Sequence, residues 1–119
     1  MSKINSFAEF WPYYLSEHRL ARTRQLHFIG SSLALGLGLL ALWRSSWVLL
    51  LAAILSGYGF SWIGHFFAEK NQPASFRYPL YSFLADWKMW VLMLTGRLDG
   101  ELARLGSKML QIHGRVSDT

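Results

Sequence analysis

The 119 residues contain no cysteine. Disulfides, thiolate zinc sites, iron–sulfur clusters and covalently attached c-type haem are therefore excluded. The chain has no H-E-x-x-H string either, so the common zinc-hydrolase signature is absent. Acidic residues are few: 7 Asp and Glu stand against 12 Lys and Arg, a formal charge of +5. A basic chain can bind nucleic acid, but here the cations flank apolar segments. That placement suits anionic lipid headgroups, or the carboxylate of a lipid-like substrate, and no nucleic-acid partner is expected. Formal charge is missing altogether from Gln25 to Trp43 and again from Ser45 to Ala68.

What is present is apolar. Hydrophobic residues make up 52% of the chain, with a mean hydropathy of +0.20, and they are gathered in segments. The length allows one domain. The polar start, Met1–Ser6, is followed by an amphipathic stretch, so no cleavable signal peptide is expected. Ser6-Phe7-Ala8-Glu9 reads as a capping box. Phe7, Phe10, Trp11, Tyr14 and Leu15 then recur on one helical face, which predicts an interfacial helix over 6–18, with Pro12 able to bend it.

The stretch 25–43 would span about 28 Å as a helix, close to a hydrocarbon core of roughly 30 Å. Arg44-Ser45-Ser46 is a short polar turn, and 46–68 supplies a second span. The short turn makes the two spans antiparallel neighbours. Glu69 to Pro73 closes the second span. The segment 78–96 is apolar but carries Asp86 and Lys88; it reads as a third membrane-embedded segment, crossing or re-entrant. In the tail, 98–113, Leu98, Leu102, Leu105, Met109 and Ile112 share one stripe of a surface or interfacial helix. The expected fold is an all-α integral membrane protein with a transmembrane hairpin. Basic residues on the side of the N-terminus favour a cytoplasmic N-terminus, in the inner membrane for a bacterial protein. A homo-oligomer is compatible with such a chain.

Three histidines fall at one depth of this hairpin. His27 lies seventeen positions before Arg44 and His65 eighteen after Trp47, about 26 and 27 Å along a helix. Small residues (Gly30, Ser31, Ala34 and Gly38 near His27; Ser61, Gly57 and Ala53 before His65) mark the faces that let two helices approach. His18 reaches the same rim through a short path, and Glu69 follows His65 by one turn. Each histidine alone is accounted for as an interfacial or hydrogen-bonded residue. Together they also admit a shared metal site, and imidazole with carboxylate suits non-haem iron(II). A b-type haem protein with histidine axial ligands, and a non-catalytic lipid-binding or scaffolding protein, remain open at this point. His113, in the polar tail, is expected to be solvated.

Tyr14-Leu15-Ser16-Glu17-His18, Leu26-His27-Phe28-Ile29-Gly30 and Trp62-Ile63-Gly64-His65-Phe66-Phe67-Ala68-Glu69-Lys70-Asn71-Gln72-Pro73-Ala74 resemble the small integral-membrane 2-hydroxy fatty acid dioxygenases. The string G-H-x-x-x-E-K-x-x-P-A is the most specific part, and the likeness runs from about Phe7 to Gly96. The resemblance implies an iron(II)-dependent α-oxidation in which a 2-hydroxy fatty acid and O2 give the fatty acid one carbon shorter and CO2. It places Fe(2+) on His18, His27 and His65, with Glu69 as a fourth ligand or an orienter of a histidine. Arg19 and Lys70 are candidates for the substrate carboxylate. Two departures stand out. The yeast-type chain has an additional hydrophobic pair between the His27-like and His65-like motifs, and two adjacent histidines where this chain has Glu17-His18.

Overall fold

The computed structural model describes residues 4–117, with the side chain of Ser117 left aside. The polar start at residues 1–3, including Lys3, lies outside the described residues. Every regular element among the described residues is helical: α1 (Phe7–Ser16), α2 (Ala21–Arg44), α3 (Trp47–Ile63), α4 (Pro79–Leu94) and α5 (Leu98–Ser117). A π-helical turn, Gly64–Glu69, continues α3, and a single 3-10 turn, Ala74–Phe76, precedes α4. The chain forms two compact units, Leu20–Pro73 and a second made of residues up to Arg19 together with Ala74 onward.

The unit Leu20–Pro73 is the expected helical hairpin. Ser45 turns the chain in the left-handed region at φ +50°, and Ser46 caps α3 by accepting from the Leu49 N–H. Antiparallel pairing follows from where small residues meet. A Cβ on Gly30 would lie 2.8 Å from both Phe60 Cβ and the Ser56 carbonyl oxygen, and one on Gly57 would lie 3.4 Å from Ala34. At the open end, a Cβ on Gly64 would lie 3.0 Å from the Thr23 methyl. Gly38 meets nothing, so the small-residue stripe ends before it. The outer faces are apolar and bare, ending in Trp43 and Trp47 at 81% and 82% exposure. A helix hydrophobic all round belongs in a protein core or a bilayer. These two, Ala21–Arg44 and Trp47–Glu69 with the π turn included, are long and apolar enough to cross a membrane, and only about a fifth or less of each is buried by protein.

The other unit packs α1, α4 and α5 around aromatic rings. Ser6 accepts from the Glu9 N–H as the predicted capping box requires, while Glu9 Oε1 accepts from the Asn5 N–H, one residue before the N-cap. Phe10, Trp11, Tyr13, Tyr14 and Leu15 are buried, with Ala85 and Met89 of α4 and Leu98, Leu105 and Ile112 of α5. The one-sided aromatic face expected of α1 is turned toward protein. Its aromatics are covered by α4 and α5, whose partner faces lie far away in the sequence. The stripe of the tail is borne out, but it is a packing face and runs on to Val116.

The charged pair of α4 is absorbed in the same way. Asp86 Oδ1 accepts from Tyr14 Oη at 2.6 Å, while Lys88 Nζ sits 4.4 Å above the Trp11 ring. Arg115 of α5 donates to Glu9 at 2.7 Å. The segment Pro79–Leu94 is thus one unbroken helix whose polar residues reach partners on α1.

Candidate functional site

All three candidate histidines are buried, and each has its Nδ1 engaged. His65 opens the π turn at 2% exposure, with Nδ1 2.8 Å from Asn71 Oδ1. An amide oxygen only accepts, so Nδ1 donates in this contact, and in the neutral ring Nε2 holds the lone pair. His27, on α2 at 2% exposure, has Nδ1 3.3 Å from Ser31 Oγ, one turn on. A hydroxyl can donate or accept, so this contact orients the ring without choosing its tautomer.

His27 and His65 share a level of the hairpin. Gly64 abuts Thr23 and Leu26, and Gly30 abuts Ser56 and Phe60. His27 lies between the first pair and the second along α2, and His65 directly follows Gly64. The two expected small-residue faces therefore do meet, and they carry the two histidines with them.

His18 belongs to the other unit, two residues beyond the end of α1 and 1% exposed. Its Nδ1 lies 2.7 Å from the Tyr14 carbonyl oxygen, and its ring stacks on that of Tyr14 at 4.2 Å. A carbonyl only accepts, so here too Nδ1 donates, and in the neutral ring Nε2 holds the lone pair. Burial raises the Tyr14 phenol well above its ordinary range, and the Asp86 carboxylate raises it further. The ring under His18 is thus a neutral phenol at physiological pH.

Glu69 has a different occupation from the one expected of it. Its Oε2 accepts the Leu20 N–H at 2.5 Å, at the entrance to α2. Leu20 has no side-chain cap of its own. Glu69 thus bonds to Leu20 while the His65 ring bonds to Asn71. Arg19 and Lys70 are both exposed. Lys70 adopts a left-handed conformation, φ +62°, and its backbone N–H bonds to the His65 carbonyl.

Among the described residues, no group of three or more His, Asp or Glu side chains is gathered so that it could hold a metal ion. His113 departs from expectation. It is half-buried, with Nδ1 3.1 Å from Ser16 Oγ, and it stacks on Tyr13, because α5 lies along α1. Of the neighbours, Thr23 has no signal in the sequence, Ser31 is marked only as a small residue of the packing stripe, and Asn71 only as standing inside the most specific string.

The sequence model of the 2-hydroxy-palmitic acid dioxygenase Mpo1-like family matches residues 4–98. The chain belongs to the Mpo1-like family. The match takes in all three histidines, Glu69 and Asn71, and stops at the start of α5. Comparison with curated proteins and with solved structures gave no match. In this Mpo1-like chain, residues beyond 98 contribute a packing helix, and the three candidate histidines and Glu69 lie before it.

Proposed function

We propose that this Mpo1-like chain is an iron(II)-dependent dioxygenase of fatty acid α-oxidation. A 2-hydroxy fatty acid and O2 are converted to the fatty acid one carbon shorter, CO2 and water. The bond between C1 and C2 breaks, C1 leaves as CO2 and C2 becomes the new carboxyl carbon. The substrate itself supplies the electrons that O2 takes up, so neither 2-oxoglutarate nor a nicotinamide is required. Iron(II), when bound, supplies the one-electron chemistry that couples O2 to this cleavage.

His18, His27 and His65 are the proposed ligands. The observation that supports them is the engagement of Nδ1 in each ring: by a carbonyl in His18, a hydroxyl in His27 and an amide oxygen in His65. Metal-binding histidines almost always have their other ring nitrogen held in this way. Burial of all three rings keeps bulk water from competing for Nε2. Glu69 acts through the backbone, holding the entrance of α2 and the end of the π turn together so that His27 and His65 keep their shared level. Arg19 and Lys70, both exposed, are the proposed partners of the substrate carboxylate. The bare outer face of the hairpin supports a membrane setting, with the acyl chain in lipid; the basic residues on the side of the N-terminus are what favours a cytoplasmic N-terminus.

The test uses full-length protein purified without a polyhistidine tag and loaded with iron(II). Oxygen uptake with 2-hydroxypalmitate and release of pentadecanoate are the expected results. No uptake by the iron-loaded protein overturns the activity. Unchanged iron content in His65→Ala overturns the ligand assignment.

A further inference from the structure

We propose that Asn71 is a positioning residue that locks the His65 ring with its proton on Nδ1 and its lone pair on Nε2. This inference rests on His65 being a metal ligand, and its test is arranged to separate the two.

Sequence spacing argues against any contact between these residues. Six positions along a straight α-helix, at about 100° each, would turn Asn71 roughly 240° away from His65 and carry it about 9 Å further on. Three local features undo that separation. The π turn Gly64–Glu69 widens the last coil of the helix. Lys70 then reverses the chain at φ +62°, a conformation strained for a residue with a Cβ. Asn71 arrives back over His65, where its N–H donates to the His65 carbonyl at 2.9 Å and its Oδ1 accepts from His65 Nδ1 at 2.8 Å. One residue thus binds both the backbone and the ring of His65.

A helix end needs only its carbonyls satisfied, and the backbone bonds from Lys70 and Asn71 do that. The side-chain bond is additional, and it is directed at the one nitrogen whose protonation decides which nitrogen can bind a metal. Strained backbone persists where its surroundings over-determine it, and such positions cluster at functional sites. Lys70 accordingly acts through its backbone in shaping this clamp, whatever its ammonium contacts.

The experiment uses the full chain in lipid nanodiscs, with long-range proton–nitrogen NMR of the imidazoles in metal-free protein and anaerobic iron(II) titration alongside. Wild-type His65 is expected as a single tautomer protonated on Nδ1. Asn71→Leu, which has no acceptor, should give mixed tautomers and iron(II) binding weakened about 10- to 100-fold. Asn71→Asp, which keeps an acceptor at the same reach, should restore both. Should Asn71→Leu fail to fold, Asn71→Ala, which also lacks an acceptor, is read in its place. An unchanged tautomer and affinity without the acceptor, or no restoration by aspartate, overturns the proposal. Wild-type protein that binds no iron but keeps the single tautomer overturns the metal reading and upholds the positioning. Mixed tautomers in the wild type overturn the positioning itself.

Discussion

The carboxylate of Glu69 accepts a hydrogen bond from the backbone N–H of Leu20, joining the last residue of the π turn to the residue that enters α2. These groups are 49 positions apart in the chain. The bond closes the open end of the hairpin, as the Ser45-Ser46 turn closes the other. A carboxylate there also faces the positive end of the α2 dipole. Glu69→Ala should therefore destabilise the unit Leu20–Pro73 by about 0.5–2 kcal/mol, the usual loss for a missing N-terminal cap. Glu69→Gln, which keeps an acceptor, should lose less. Thermal melts of the two variants in one detergent check this, and equal melting points for Glu69→Ala and wild type would sink it.

Glycines of the hairpin should divide sharply by position. At Gly30 an added methyl would meet Phe60 Cβ and a backbone oxygen at 2.8 Å, and backbone cannot step aside. Gly30→Ala should push the helices apart and cost about 1–3 kcal/mol. Gly36 and Gly38 face open space, where Ala instead relieves the entropy cost of glycine in a helix. Gly36→Ala should stabilise by about 0.5–1 kcal/mol. Opposite signs in denaturant midpoints are the expected readout.

The legible parts of this chain were those set by short-range chemistry. Two charge-free stretches, a polar turn at Arg44-Ser45-Ser46 and facing small residues were enough to bring His27 and His65 to one level. The clamp on His65 was not legible, because it depends on a π turn and a left-handed lysine that periodicity does not encode. Helical spacing puts Glu69 one turn after His65, but its bond to Leu20, 49 positions earlier, has no local signal. The aromatic face of α1 has one appearance in sequence whether lipid or protein covers it. Its burial follows from Ala85, Met89 and Leu105, residues whose contact with α1 no local pattern announces. His113 looked solvated for the same reason, since Ser16 and Tyr13 lie about a hundred residues earlier.

Alkali should loosen the unit that contains α1. Burial raises the Tyr13 and Tyr14 phenols above their ordinary range, with Glu17 adding to the first and Asp86 to the second. An unfolded tyrosine loses its proton near pH 10, whereas these two hold theirs in the folded chain. Their contribution is thus complete below about pH 10 and is lost as pH climbs past it toward the raised folded values. Melting temperature should fall steeply above pH 10. The Tyr13→Phe, Tyr14→Phe double variant should show a shallower fall, and an identical slope would refute the assignment.

Thr23 offers the last test. It is fully buried one turn before His27, its methyl lies against Gly64, and its hydroxyl has no hydrogen-bond partner among the described residues. A buried hydroxyl left unpaired costs about 1–3 kcal/mol, a loss that an apolar group of the same shape avoids. Thr23→Val keeps the branched shape against Gly64 and removes the polar atom, so the hairpin should melt at a higher temperature. Thr23→Ala removes the methyl as well and should lower it, because the contact with Gly64 is then empty. A fall in stability in the valine variant would mean that an ordered water or ligand atom normally satisfies the hydroxyl. Comparing the valine variant with and without iron(II) and 2-hydroxypalmitate would then show which of these it is.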